Sequence, residues 1–180
     1  KKTKEIVDYI DNMKYELIAM SEKIEGGAAA AKKMFAEQGF SMIKKKDNYN
    51  DPTRYFTEGS EDGSVGKAIE LRKKIEAYQA EMLKYPQSEA FKKQLKGMQI
   101  KTDGTWKDAT GKEKNWQLYN FYHTILTADI VLLNRFKSDI QNAEVDLINH
   151  LYSQISADDF KFDQVTARVL PKSTYIIQGG

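Results

Sequence analysis

Cysteine is absent from the 180 residues. That excludes a disulfide framework, a thiolate metal site and a cysteine nucleophile. Histidine is nearly absent as well: His123 and His150 are the two imidazoles. They fall on one expected helix roughly 40 Å apart, too far to share a site within one subunit, and neither has a ligand-spaced partner. Proline occurs three times, at Pro52, Pro86 and Pro171, so long stretches carry no helix breaker. No apolar run approaches the eighteen or so residues of a membrane span, and no signal peptide opens the chain. There is little excess of either charge: 28 Lys and Arg stand against 26 Asp and Glu. A dedicated nucleic-acid surface needs a strong basic excess, so no nucleic-acid partner is expected. The apolar fraction of 41% is enough for a real core.

What the chain has in quantity is helical periodicity. Ile6, Ile10, Met13, Leu17, Met20 and Ile24 alternate steps of four and three, a narrow heptad seam. Gly26-Gly27 is expected to end that helix through the left-handed C-cap that glycine accepts readily. Ala28 to Gln38 follows as a further helix, with Gly39 as its stop. Residues 44–63 lose the pattern and are expected to form a long loop, pinned to the bundle by Tyr49, Tyr55 and Phe56. A second seam joins Ala68, Leu71, Ile75, Tyr78, Met82 and Tyr85, with Ser64 as N-cap and Pro86 as terminator. Ser88 is expected to cap a short helix bearing Phe91, Leu95 and Met98. Two turn signals around Trp106 predict a hairpin-like excursion over about 99–115.

The longest pattern runs without Gly or Pro from Trp116 to Ile155. Tyr122, Leu126, Asp129, Leu133, Phe136, Ile140, Ala143, Leu147 and Leu151 share one stripe. A second row, Leu118, Phe121, Ile125, Ala128 and Leu132, makes the first half apolar on two faces. This predicts a single rod on the order of 60 Å, buried by two neighbours at first and by fewer beyond Arg135. From Phe160 and Phe162 the period changes to two, and after Pro171 a second strand is expected at Tyr175–Ile177. The fold expected is mainly α: an antiparallel bundle of about four helices whose very long last helix leads into short strands of a following β-sandwich. The division falls between a helical domain, 1–157, and a linker with first strands, 158–180. The heptad starting beside Lys1 and the abrupt end at Gly180 suggest a section of a longer protein.

No catalytic, cofactor or metal residues are expected. Gly63-Ser64-Val65-Gly66-Lys67-Ala68 resembles a phosphate loop, but Glu61 stands where its first glycine belongs and Ala68 where Ser or Thr should follow the lysine. Asp47 to Glu58 resembles a calcium loop, but Tyr49 occupies a ligand position and Pro52 that of the turn glycine. Asp129 stands out because it lies on the apolar stripe. It is either a titrating or register-setting group, or a carboxylate paired to a lysine or a tryptophan N–H. The residues singled out for structure and interaction are Trp116, Tyr122, Asp129, Leu133, Phe136, Ile140, Leu147, Leu151, Phe160 and Phe162.

Trp116, the run Asn142-Ala143-Glu144 with Asp146, the pair Phe160 and Phe162, and Pro171, Ser173 and Tyr175 form an ordered set of landmarks. With the upstream segments DPTRYF, GKAIELRKKIEAY and IVDYIDNMKYEL, this set resembles the GldM/PorM family of the gliding-motility and type IX secretion machinery of Bacteroidetes. The resemblance covers most of the chain and is loosest over 28–50 and 99–115. It implies a non-enzymatic, force-transmitting first periplasmic domain, anchored to the inner membrane by a transmembrane helix not present in this chain. It further implies a homodimer, a GldL/PorL-like inner-membrane partner and GldK/GldN-like outer-membrane-associated partners reached through later domains. The competing reading is a ligand-sensing periplasmic four-helix bundle, with Asp129 or the Tyr55/Phe56 loop holding a small molecule.

Overall fold

The computed structural model describes the backbone of residues 1–98 and 100–166, and the side chains of 1–95 and 100–155. Helix α1 (Lys2–Glu22) buries the heptad seam Ile6, Ile10, Met13 and Leu17. It stops short of the glycines. Lys23 takes the left-handed conformation (φ 56°), and the Ile24 N–H reaches back to the Ala19 carbonyl at 2.9 Å. That closure lets half-buried Ile24 pack on the core. Gly26 (φ 89°) instead precedes α2 (Gly27–Gln38), which sits against α1 through buried Ala31 and an edge-on Tyr15–Phe35 pair.

The expected loop at 44–63 contains a helix, α3 (Asn50–Thr57). Its start is organised by Asn48, whose Oδ1 accepts from the Asn50 and Asp51 amides at 3.1 and 3.3 Å. Eight residues with few apolar members give too weak a period to register as helix. What holds α3 is tertiary: Phe56, wholly buried, stacks on Phe121 at 4.0 Å, and the Tyr55 hydroxyl donates to Glu16 Oε2 at 2.6 Å. Tyr49 stays exposed beside His123.

Helix α4 (Lys67–Met82) buries Ala68, Leu71, Ile75, Tyr78 and Met82. Its N-cap is Gly66, not Ser64, for a steric reason. Gly66 has φ 92°, and a Cβ there would lie 2.4 Å from the Phe56 carbonyl oxygen. The loop that imitates a phosphate cradle is therefore a close crossing of α3 and the start of α4. Helix α5 (Glu89–Met98) begins with Ser88 Oγ accepting from the Phe91 amide at 3.3 Å. Strands β1 (Trp106–Lys107) and β2 (Glu113–Lys114) then pair antiparallel, Trp106 opposite Lys114.

The single rod expected from Trp116 is two helices, α6 (Trp116–Phe121) and α7 (Leu126–Thr166). Between them Tyr122 is extended and His123 is left-handed, φ 57°. Neither Gly nor Pro causes the break. The 46–53 segment supplies hydrogen-bond partners that a continuous helix would find in itself. Thr53 Oγ1 accepts from the His123 amide at 3.1 Å, and the Asn48 and Lys46 carbonyls accept from the Leu126 and Thr127 amides. The second apolar row fails at this point: Leu118 and Phe121 are buried, while Ile125 and Ala128 are exposed. Helix α7 runs 41 residues, about 60 Å. Phe160 and Phe162, expected on a strand, lie within it. Asp158-Asp159 does not stop the helix because propagation costs little where neither Gly nor Pro intervenes, and two phenylalanines at period two are too short a pattern to decide. Of the expected strands, 167–177 lie outside the described residues.

The result is mainly helical, a bundle with one short two-stranded ribbon among the described residues. Its core joins α1, α3, α4, α6 and α7 in one cluster.

Candidate functional site

The element that sets this fold apart is the pairing of α1 with α7 and what α7 does beyond it. Three polar contacts give the register. Thr3 Oγ1 donates to Glu144 Oε1 at 2.6 Å, Lys14 Nζ to Asn134 Oδ1 at 3.1 Å, and Lys137 Nζ to Asp11 Oδ1 at 3.0 Å. The partner number falls on α7 as it rises on α1, so the helices are antiparallel. Leu133, Phe136, Ile140, Ala143 and Leu147 join the α1 seam in one buried core cluster.

Lys14 is only 4% exposed. Its ammonium also bonds Asp11 Oδ1 at 3.2 Å and lies 4.5 Å from the Tyr15 ring centroid. Burial would raise the Asp11 carboxyl, but the Lys137 and Lys14 hydrogen bonds outweigh it and hold the group below its ordinary value. A buried lysine on an otherwise apolar seam admits one register where its carboxylate is in reach. The sequence pattern does not single out Lys14, because its neighbour Met13 already accounts for the seam.

Asp129 lies in the first turn of α7 and is wholly buried. The lysine or tryptophan partner expected for it is not there. Thr124 Oγ1 donates to its Oδ1 at 2.7 Å, and Oδ2 has no hydrogen-bond partner among the described residues. Burial raises its pKa to about 7, against a smaller lowering by Thr124. By the α1–α7 register, Ser21 stands at this same end of the seam, and its buried Oγ is also without a partner.

The remaining singled-out residues sit as follows. Trp116 is buried, stacked on Phe136 at 5.6 Å and edge-on to Phe121. Asn115 caps its helix by accepting from Leu118 N at 3.0 Å. Tyr122 is half-buried in the break, edge-on to His123. The Ile140 carbonyl accepts from the Tyr78 hydroxyl at 3.2 Å. Leu151 is half-buried. The side chains of Phe160 and Phe162 lie outside the described residues. His150 stacks face to face on Phe91 at 3.8 Å, so α5 covers one side of distal α7.

Another side stays open. Val145, Ile148, Tyr152 and Ile155 are 53%, 45%, 67% and 60% exposed. Their steps of three, four and three form a heptad stripe, rotated by roughly a third of a turn from Ala143, Leu147 and Leu151. A signal for it was present in the spacing, hidden beside the stronger buried row. α1 begins at Lys2, opposite the level of Glu144, so α7 continues more than twenty residues past its main partner.

The calcium-loop lookalike is folded into α3, and no group of three or more His, Asp or Glu among the described residues could hold a metal ion. No helix among those residues is long and apolar enough to cross a membrane. The small-molecule reading of Asp129 and the Tyr55/Phe56 loop fails on access: Asp129 and Phe56 are wholly buried and the Tyr55 hydroxyl is spent on Glu16.

Comparison with curated proteins finds no match. The GldM N-terminal domain family matches residues 1–154, the stretch that runs from the start of α1 to the exposed stripe on α7. A mainly helical bundle dominated by one long last helix, matched over most of its length, belongs to the GldM N-terminal domain family, components of gliding motility and type IX secretion.

Proposed function

We propose that this domain is a non-enzymatic, force-transmitting element in the periplasm, and that α7 is the part that carries displacement away from the membrane end. The observation behind this is the 41-residue helix locked to α1 by a buried polar register and continuing well past it. A helix clamped along half its length and free of Gly or Pro resists bending, so motion at the bundle is delivered at the far end. The motor input would come through an inner-membrane anchor with a GldL/PorL-like partner. The output would pass through later domains to GldK/GldN-like partners.

The same reading assigns the exposed stripe to a second copy of the chain. Val145, Ile148, Tyr152 and Ile155 have the spacing of a two-stranded seam. Leaving four large apolar groups in water over one stripe is unusual for a face with no partner.

The deciding experiment is a flexible Gly-Ser insertion after Ser156 in the full-length protein. Gliding and secretion should be lost while the bundle's melting temperature is unchanged. Normal gliding and secretion with that insertion would sink the proposal.

A further inference from the structure

Away from the α1–α7 seam, an open cleft of about 410 Å³ lies between the β-hairpin, α6 and the middle of α7. Its floor is the buried pair Trp116 and Phe136. One wall is a second near-parallel pair, Trp106 and Tyr119, with ring centroids 6.0 Å apart and planes 25° apart. Tyr119 is 47% exposed and Trp106 half-buried, so this wall presents aromatic surface to the solvent.

The polar groups around it have unused bonding capacity. Asn120 donates through Nδ2 to the Trp116 carbonyl at 2.7 Å, which leaves its Oδ1 free of any partner among the described residues. Arg135 and Asp139 approach to 3.7 Å, beyond hydrogen-bond reach, and neither makes another bond within those residues. An amide oxygen, a guanidinium fork and a carboxylate therefore face one cleft with their capacity turned outward.

We propose that this cleft binds a β-linked oligosaccharide, a function separate from force transmission and independent of it. The chemistry of the lining suits that class. A pyranose with equatorial hydroxyls has a flat face of C–H bonds that lies on an aromatic ring, and a rim of hydroxyls that both donate and accept. Tyr119 and Trp106 supply the ring surface. Asp139 accepts from two vicinal hydroxyls, Arg135 donates to their oxygens, and Asn120 Oδ1 accepts a third. The volume lies in the range of small-ligand sites and suits about two sugar rings.

Both tryptophans of the chain line the cleft, so the native fluorescence reports on it. Titration with chitotetraose and with cellotetraose should shift or quench the emission saturably for at least one of them, with Kd of about 0.1–1 mM. Tyr119→Ala and Asp139→Asn should each weaken that binding at least about tenfold, some 1.4 kcal/mol. Both side chains are partly exposed, and the melting temperature should stay within a few degrees. Should Tyr119→Ala unfold, Asp139→Asn carries the test. No saturable change with either sugar up to about 10 mM would overturn the proposal. So would undiminished binding by the variants, or saturation by an acidic, tyrosine-containing tripeptide in place of the sugars.

Discussion

Asp129 is where opposing residue-scale effects can be weighed. It sits in the first turn of α7, where the helix dipole favours a negative charge by about 0.3–1 kcal/mol. Burial with one hydroxyl partner works against ionisation and wins, placing its pKa at about 7 rather than the ordinary 3.8. The sign follows directly. Between those values the unfolded chain has released the proton while the folded chain still holds it, so stability falls as pH rises, by up to about 1.4 kcal/mol per pH unit. The contribution is whole below about pH 4 and gone above about pH 7. Urea midpoints should therefore decline across this window, and Asp129→Asn should flatten the decline and be the more stable protein at pH 8. An unchanged slope in the variant would show that Asp129 is not the group responsible. The buried lysine gives a second contrast. Asp11→Ala leaves Lys14 without its carboxylate and should cost about 3 kcal/mol. Lys14→Met, which removes the charge and keeps the stem, should stay within about 1 kcal/mol in the same urea titration. Equal losses would mean that packing, not charge pairing, decides that position.

At the scale of elements, the spacing rules worked where one face is buried over several turns. The rows within α1 and α4, and the Leu133 to Leu147 row of α7, lie in the core as their periods require, while Tyr85, expected on the α4 row, falls beyond the end of that helix and is exposed. They failed where another element supplies what the local chain lacks. Helix α3 exists because Phe56 has Phe121 to stack on, and α6 is cut from α7 because Thr53, Asn48 and Lys46 satisfy the backbone groups at the break. None of those partners is near in sequence, so no local pattern could reveal them. Gly66 ties these elements together and yields a sharp comparison. Gly59 and Gly66 both have positive φ, but a Cβ at Gly59 meets nothing within 4 Å, whereas at Gly66 it meets the Phe56 carbonyl. Gly59→Ala should cost about 1 kcal/mol of backbone strain. Gly66→Ala should cost at least about 2 kcal/mol more, since α3 must move away from α4. Thermal melts of the two variants measure the difference, and matching melts would refute the close-crossing account.

For the whole molecule, the question is what covers the open stripe of α7. With no cysteine in the chain, a single introduced thiol gives an unambiguous answer. Ile148→Cys should form an intermolecular disulfide under mild oxidation if two copies pair in register along this face. Ser153→Cys, exposed on the same helix about a third of a turn away from the stripe, should not. Val145→Glu combined with Tyr152→Glu should shift the protein toward monomer in light scattering without lowering its melting temperature, because both side chains are more than half exposed. A monomer at every concentration in the parent protein would remove the seam from this domain.

The sequence alone determined that the chain is mainly a helical bundle and, having no cysteine, forms no disulfide or thiolate metal site. Those conclusions rest on periodicity and composition, which are properties of neighbours three and four residues apart or of the whole chain at once. It also carried the landmarks of the family that residues 1–154 match. Tertiary structure decided the rest. It placed the break at His123, the crossing at Gly66, the lysine-centred register between α1 and α7, and the cleft where Trp106 and Tyr119 meet Arg135 and Asp139. Each depends on groups distant in sequence meeting at hydrogen-bond or van der Waals range. Such a meeting is a property of the folded chain, and no local period encodes it.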